Sequence, residues 1–164
     1  MLQQTIIKGV SHAGLYAEDP WTLAQFYQAV LELKVVGASG PNPAGVRHSV
    51  FLSRCAGAPH HHLALFANPA HQYTAFQVTS LAGLRGLYQR VIDQGLPVRW
   101  ALNHGVSLAF YCADPAGNPI KLYWPTGIAY PQPHGHPIDL TQSAAALRQD
   151  VADLVAPLER AKGG

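Results

Sequence analysis

Ser11-His12-Ala13-Gly14-Leu15-Tyr16 and Gln72-Tyr73-Thr74-Ala75-Phe76-Gln77 open two halves of the chain that follow one plan. Each hexapeptide reads as a strand and leads into a helical segment. In the first half Pro20 follows Asp19 and suits a first helical position, while Leu23, Phe26, Val30 and Leu33 recur at helical spacing. In the second half Ser80 is a natural N-cap for a helix through Leu84, Leu87, Val91 and Ile92, which Gly95 ends. Gly83 and Gly86 oppose that helix, at about 1 kcal/mol each relative to alanine. Both halves close on a short apolar strand, His62-Leu63-Ala64-Leu65-Phe66 and Ile120-Lys121-Leu122-Tyr123-Trp124. The minimal reading is an α+β fold of two βαβββ units, residues 6–66 and 71–124, with function between them.

Composition narrows the class. Of 164 residues 48% are hydrophobic and only 12% charged, which suits one compact domain over residues 1–140 and excludes a disordered chain. The formal charge of +2 comes with no basic run, so nucleic acid is not an expected partner. No apolar run is long enough to cross a membrane and the first nine residues lack a signal-peptide core, so a cytoplasmic protein is expected. Cys55 and Cys112 form no CxxC motif and are expected as two buried thiols.

Punctuation between the elements is also legible. Residues 37–45 carry two prolines and three glycines and read as a loop. Asp114-Pro115-Ala116-Gly117-Asn118-Pro119 reads as a tight turn. A proline-rich connector runs from Pro125 to Pro137. Residues 141–164 then read as a terminal helix capped by Thr141, whose Ala144, Leu147, Val151, Leu154 and Leu158 must cover the body or a second subunit.

SHAGLYAEDPWTLAQFYQAVLEL, HHHLALF, AFQVTSLAGLRGLYQRVIDQGLPV, NHGVSLAFYCADPAGNPIKLYW and the distal PIDL together resemble the vicinal oxygen chelate superfamily. That group includes glyoxalase I, bleomycin-resistance proteins and extradiol ring-cleavage dioxygenases, and the single-domain dioxygenases are the nearest in pattern. The resemblance implies a cupped mixed sheet around one cavity, and dimers are common in this fold. It also implies a ligand set for Fe(II) or Mn(II): a His on the first strand of each unit and a Glu on the final strand. Two imidazoles and one carboxylate leave coordination sites open for substrate and oxygen. His12 matches the first position, but Tyr73 stands at the second and Lys121 at the third. His71, two residues before Tyr73, shares its strand parity and would have to reach in from the edge. An ammonium at Lys121 ligates nothing and its charge opposes a nearby cation.

The same resemblance singles out further residues. His62 matches an acid/base histidine near substrate oxygen, and a histidine titrates in the range that role needs. On parity His62, Ala64 and Phe66 face the cavity, while His60 and His61 read as a polar loop entering the strand. His104 and Tyr111 match residues at the dioxygenases' substrate side, and Tyr16, Phe66 and Tyr123 are expected on inner strand faces as apolar contacts. His134 and His136 read as solvated loop.

Three function classes follow. The expected one is an extradiol-dioxygenase-like protein that binds a small aromatic or planar oxygenated molecule and acts without the usual metal, through His12, His62, Tyr73 and Lys121. In its sharper form the Lys121 ammonium replaces the metal's charge; in its plainer form Lys121 snorkels to solvent and Tyr73 fills space. The alternatives are a metal-dependent dioxygenase that uses His12 in an unusual ligand set, and a non-catalytic binding or resistance protein. A homodimer is expected.

Overall fold

The computed structural model describes residues 6–58 and 60–162. Element order is β1 (Ile7–Tyr16), α1 (Pro20–Leu31), β2 (Lys34–Ala38), β3 (Ser49–Ser53), β4 (Leu63–Phe66), β5 (Tyr73–Val78), α2 (Leu81–Asp93), β6 (Trp100–Asn103), β7 (Ser107–Ala113), β8 (Pro119–Pro125), β9 (His136–Pro137) and α3 (Ala144–Lys162). The strands form one mixed sheet in the order β2-β3-β4-β1-β5-β8-β7-β6-β9. Counted outward from the centre, the first unit runs β1, β4, β3, β2 and the second β5, β8, β7, β6. The two βαβββ units therefore repeat in space as they do in sequence.

The central antiparallel pair makes the equivalence specific. His12 pairs with Ala75 and Gly14 with Tyr73, so exchanging the two units puts Tyr73 where His12 stands and Ala75 where Gly14 stands. Gly14 pairs with Ala64 across β1 and β4, as Ala75 pairs with Lys121 across β5 and β8. Lys121 is thus the counterpart of Ala64, one residue off the alignment of His62–Phe66 with Ile120–Trp124 that sequence suggests.

Local chemistry places the helices. Asp19 caps α1 by accepting from the Trp21 amide, and Ser80 caps α2 by accepting from the Gly83 amide. Helix α1 carries two apolar stripes, and the one it buries is Pro20, Leu23, Ala24 and Tyr27, against Val50, Leu52 and Leu65. Phe26 and Val30, which recur with Leu23 and Leu33 at helical spacing, are 53% and 59% exposed. Two competing stripes leave periodicity unable to choose.

Helix α3 is capped by Ser143, which accepts from the Ala146 amide, rather than by Thr141, whose amide and hydroxyl both bond the Asp139 carboxylate. Its Leu147 and Val151 join Val78, Leu81, Leu84, Leu108, Phe110, Cys112 and Leu122 in one core on the helix side of the sheet. The helix therefore covers its own body. Two smaller expectations change. Strand β2 extends through Gly37 to Ala38, because Gly37 pairs with Phe51 beyond a bulge after Val35. Cys55 is exposed in the turn after β3, whereas Cys112 is buried. Ile92 lies on the outer face of α2, 44% exposed. Among the described residues no helix is long and apolar enough to cross a membrane.

Candidate functional site

The sheet face opposite the helices holds a cavity of about 700 Å³, a volume that suits a small organic ligand. Residues paired directly across a sheet share a face, and one such row runs His12, Ala75, Lys121, Tyr111, Trp100 across β1, β5, β8, β7 and β6. Tyr73 and Tyr123 lie two positions from Ala75 and Lys121 and so share that face. The proline-rich connector supplies the facing wall through residues 132–135.

Lys121 is the unexpected centre. It is 5% exposed, and its Nζ lies 5.3, 5.5 and 5.4 Å from the ring centroids of Tyr73, Tyr111 and Tyr123. It makes no hydrogen bond among the described residues, and no carboxylate is among those that line the cavity. Burial brings its pKa down to about 7, so ammonium and amine both exist near neutrality. The reading in which Lys121 snorkels to solvent is overturned, because its position in the row sends the side chain into the cup.

Tyr73 is buried beside it and its ring lies across Gly14, where an added Cβ would come within 2.8 Å of the ring carbon Cε1. Gly14 is what lets that ring cross β1. Burial raises the Tyr73 phenol well above its ordinary pKa, so it stays protonated.

His12 is 9% exposed and its ring meets Tyr73 at 5.6 Å and Tyr123 at 5.2 Å between centroids. Burial first, and then the Lys121 charge, push its pKa far below the usual histidine range. Its Nδ1 bonds the Ser11 hydroxyl at 2.8 Å, and the Tyr123 hydroxyl donates to Ser11 Oγ at 2.8 Å. Neighbours on a strand normally face opposite ways, but a bulge between Val10 and His12 lets both Ser11 and His12 line the cavity. His12 Nε2 is buried without a partner.

His104 and Tyr111 form a second chain. The His104 Nδ1–H donates to the His134 carbonyl at 2.6 Å, which leaves Nε2 to accept from the Tyr111 hydroxyl at 3.0 Å. Burial holds His104 down to about 3 and keeps it neutral. The turn that presents it needs Gly105 at φ 75°, with the Tyr130 ring packed where a side chain would go. His134 thus contributes to the cavity wall through its backbone, while His136 is exposed in β9.

Three placements differ from expectation. His61, read as loop, packs its ring on His12 at 4.6 Å and leaves its own Nε2 buried and unpartnered. Burial takes its pKa to about 3. His62 is exposed at the cavity rim and bonds the Ser53 hydroxyl at 3.1 Å, with His60 near it. The reason is that β4 starts at Leu63, so strand parity does not govern residues 60–62. Tyr16 lies outside the cavity, 43% exposed, because β1 runs past Gly14, the last residue paired with β5. Phe66 does line the cavity. Ser11, His61, Gln77 and Trp100 were not singled out by sequence.

The donor set does not fit a divalent metal. His12 Nε2 is available, but its partners at the expected positions are a protonated phenol and a lysine whose charge opposes a cation. His71 does not rescue the set: it is exposed at the mouth, against Phe66 and Trp100. Among the described residues no group of three His, Cys, Asp or Glu could hold a metal ion.

Comparison with known proteins gives the lineage. Biphenyl-2,3-diol 1,2-dioxygenase 3 of Rhodococcus globerulus is 29% identical over 130 residues, 72% of this chain and 64% of that protein. This chain therefore spans less than two thirds of that relative. The 2,3-dioxygenase LapB from Pseudomonas sp. KL28 superposes with a TM-score of 0.61 at 20% identity, over 79% of this chain and 46% of its own. Methylmalonyl-CoA epimerase from Mycobacterium tuberculosis superposes at 0.53 and 19% identity, over 77% of this chain and 93% of its own. These two likenesses concern the fold. The family model for the superfamily matches residues 9–122, which hold His12, Lys121 and most of both units, and the chain belongs to the Glyoxalase/Bleomycin resistance protein/Dioxygenase superfamily.

Proposed function

We propose that the cavity binds a small aromatic or otherwise planar oxygenated molecule through an ionised oxygen, and that Lys121 supplies, without a metal, the positive charge that holds it. The observation that carries this reading is the Lys121 ammonium position: buried, ringed by three tyrosines and facing a cavity with no lining carboxylate. In such a site a charge acts at low effective dielectric and needs little reorganisation.

The residues around Lys121 divide the remaining work. Tyr73 keeps its proton and donates it as a hydrogen bond to the same ligand oxygen. His12 Nε2 is the proton carrier, and its role is set by the direction of the Tyr123–Ser11–His12 chain. When Ser11 donates to Nδ1, Nε2 carries the proton; when Nδ1–H donates to Ser11, the Nε2 lone pair faces the ligand. The chemistry that fits is a proton shift beside a carbonyl. His12 takes a proton from carbon as negative charge develops on the oxygen held by Lys121 and Tyr73, which offsets the Lys121 charge that otherwise opposes a proton on His12; the electron pair moves to that oxygen, and the proton returns at another atom. His62, at the rim, connects this inner group with solvent. His104 and Tyr111 fix the far wall, with Phe66 and Tyr123 as apolar contacts.

Binding of benzoate against benzamide, measured by calorimetry, tests the proposal. A charge-assisted contact is worth on the order of 1.5 to 3 kcal/mol, so benzoate should bind about tenfold or more tighter, and Lys121→Met should remove the preference. Equal affinities in the parent protein would sink the charge reading. A second reading, metal-dependent ring cleavage, is favoured by the unpartnered Nε2 atoms of both His12 and His61 and by the dioxygenase relative. Metal content decides it. Turnover of a bound ligand separates an enzyme from a binding protein, and light scattering tests the homodimer.

A further inference from the structure

Lys121 has properties that a charge alone does not need. Its amine is buried in a cavity wide enough for an aromatic ring, has no hydrogen-bond partner among the described residues and faces no carboxylate that would hold it as ammonium. A primary amine in that setting has a lone pair directed at whatever fills the cavity. Beside it stands an acid of the right kind. Of the three tyrosines around Nζ, Tyr111 spends its hydroxyl proton on His104 and Tyr123 donates to Ser11, whereas the Tyr73 hydroxyl bonds none of the described residues. Tyr73 alone is free to donate to a ligand oxygen.

We propose that Lys121 is an amine nucleophile that forms an imine with a small aromatic aldehyde or ketone bound in the cavity. The proposal rests on the reading that this cavity takes a planar oxygenated molecule. The Nζ lone pair attacks the carbonyl carbon, and the C=O π pair moves to oxygen, which takes a proton from the Tyr73 side. The nitrogen loses one proton to the Tyr73 phenolate, which gives a neutral carbinolamine and restores the phenol. Expulsion of the hydroxyl as water, protonated by Tyr73, leaves an iminium whose N–H proton returns to the Tyr73 phenolate to give C=N. No oxidant or reductant enters. The near-neutral titration of Lys121 agrees with this role, since a usable fraction is amine at physiological pH.

Benzaldehyde with cyanoborohydride tests it, because reduction fixes an imine where it forms. The chain's other lysines provide internal controls, and Lys8 and Lys34 are exposed. At pH 7.5, peptide mapping should find Lys121 modified about tenfold or more faster than Lys8 or Lys34, with the rate rising between about pH 6 and 8 as a near-neutral amine requires. Benzoate should slow modification at Lys121 and leave Lys8 unaffected. Lys121→Arg, which keeps charge and loses the nucleophile, should abolish the internal adduct. Modification confined to Lys8, Lys34 and the amino terminus, with Lys121 untouched, overturns the imine. So does reaction at Lys121 only at a pH typical of exposed lysine. The mapping needs no variant, so a poorly folding Lys121→Arg protein leaves the test intact. Benzoate preference without a Lys121 adduct would refute the imine and keep the charge reading; an adduct without benzoate preference would do the reverse.

Discussion

Replacing Lys121 by methionine should make the protein more stable at pH 6 and leave it little changed at pH 10. Burial lowers the lysine pKa from 10.5 to about 7, so the fold disfavours the ammonium. Multiplying that gap of about 3.5 by about 1.36 kcal/mol per pH unit gives a cost of about 5 kcal/mol for the ionised form. Three tyrosine faces within 6 Å offset part of it, at about 0.5 to 1 kcal/mol each. The net gain for Lys121→Met is therefore about 2 to 3.5 kcal/mol below pH 7, a large fraction of a domain's stability. The sign follows from proton binding. Between about pH 7 and 10.5 the unfolded lysine is protonated and the folded one is not, so parent stability rises across that window. Methionine has no such window. Urea denaturation of both proteins at pH 6 and pH 10 reads the difference directly. A stability change independent of pH, or a loss at pH 6, would mean that the Lys121 ammonium is solvated or paired and that the cage does not hold it as described.

Acid should destabilise the parent early, because burial lowers the pKa of His12, His61 and His104 and each resists a proton that the unfolded chain accepts below 6.5. At pH 5 the loss is about 2 kcal/mol per histidine, and a denaturation midpoint unchanged from pH 7 to 5 would contradict it. Deleting residues 141–164 removes Leu147, Val151 and Val155 from the core, so the shortened chain should aggregate or melt lower; unchanged mass in solution and melting temperature would show α3 dispensable. Gly14→Ala should push the Tyr73 ring off β1 and weaken benzoate binding, while circular dichroism stays close to the parent's; full retention of affinity would show that the Tyr73 position does not matter.

The repeat was legible because both units write the same plan, and register confirms the pairing of Ser11–Tyr16 with Gln72–Gln77. His12, Tyr73, Lys121, His104, Tyr111, Tyr123 and Phe66 were found from strand parity and family pattern, and the structure brings all of them to one cavity. Parity failed where strands stop or bulge. His61 reaches His12 because residues 60–62 precede β4, and Ser11 joins the site because a bulge breaks alternation before His12. Tyr16 has the right parity but lies past the last β5 pairing. The burial of Lys121 was not legible either, since a lysine flanked by apolar strand residues reads equally as one that snorkels. Its neighbours across the sheet, Ala75 and Tyr111, decide that.

Metal content tests the central claim most directly. Protein purified without chelators and analysed by inductively coupled plasma mass spectrometry should hold far less than one iron, manganese or zinc per chain, because the positions that would complete a site with His12 are a protonated Tyr73 and Lys121. About one such metal per chain, lost in His12→Ala, would contradict the account.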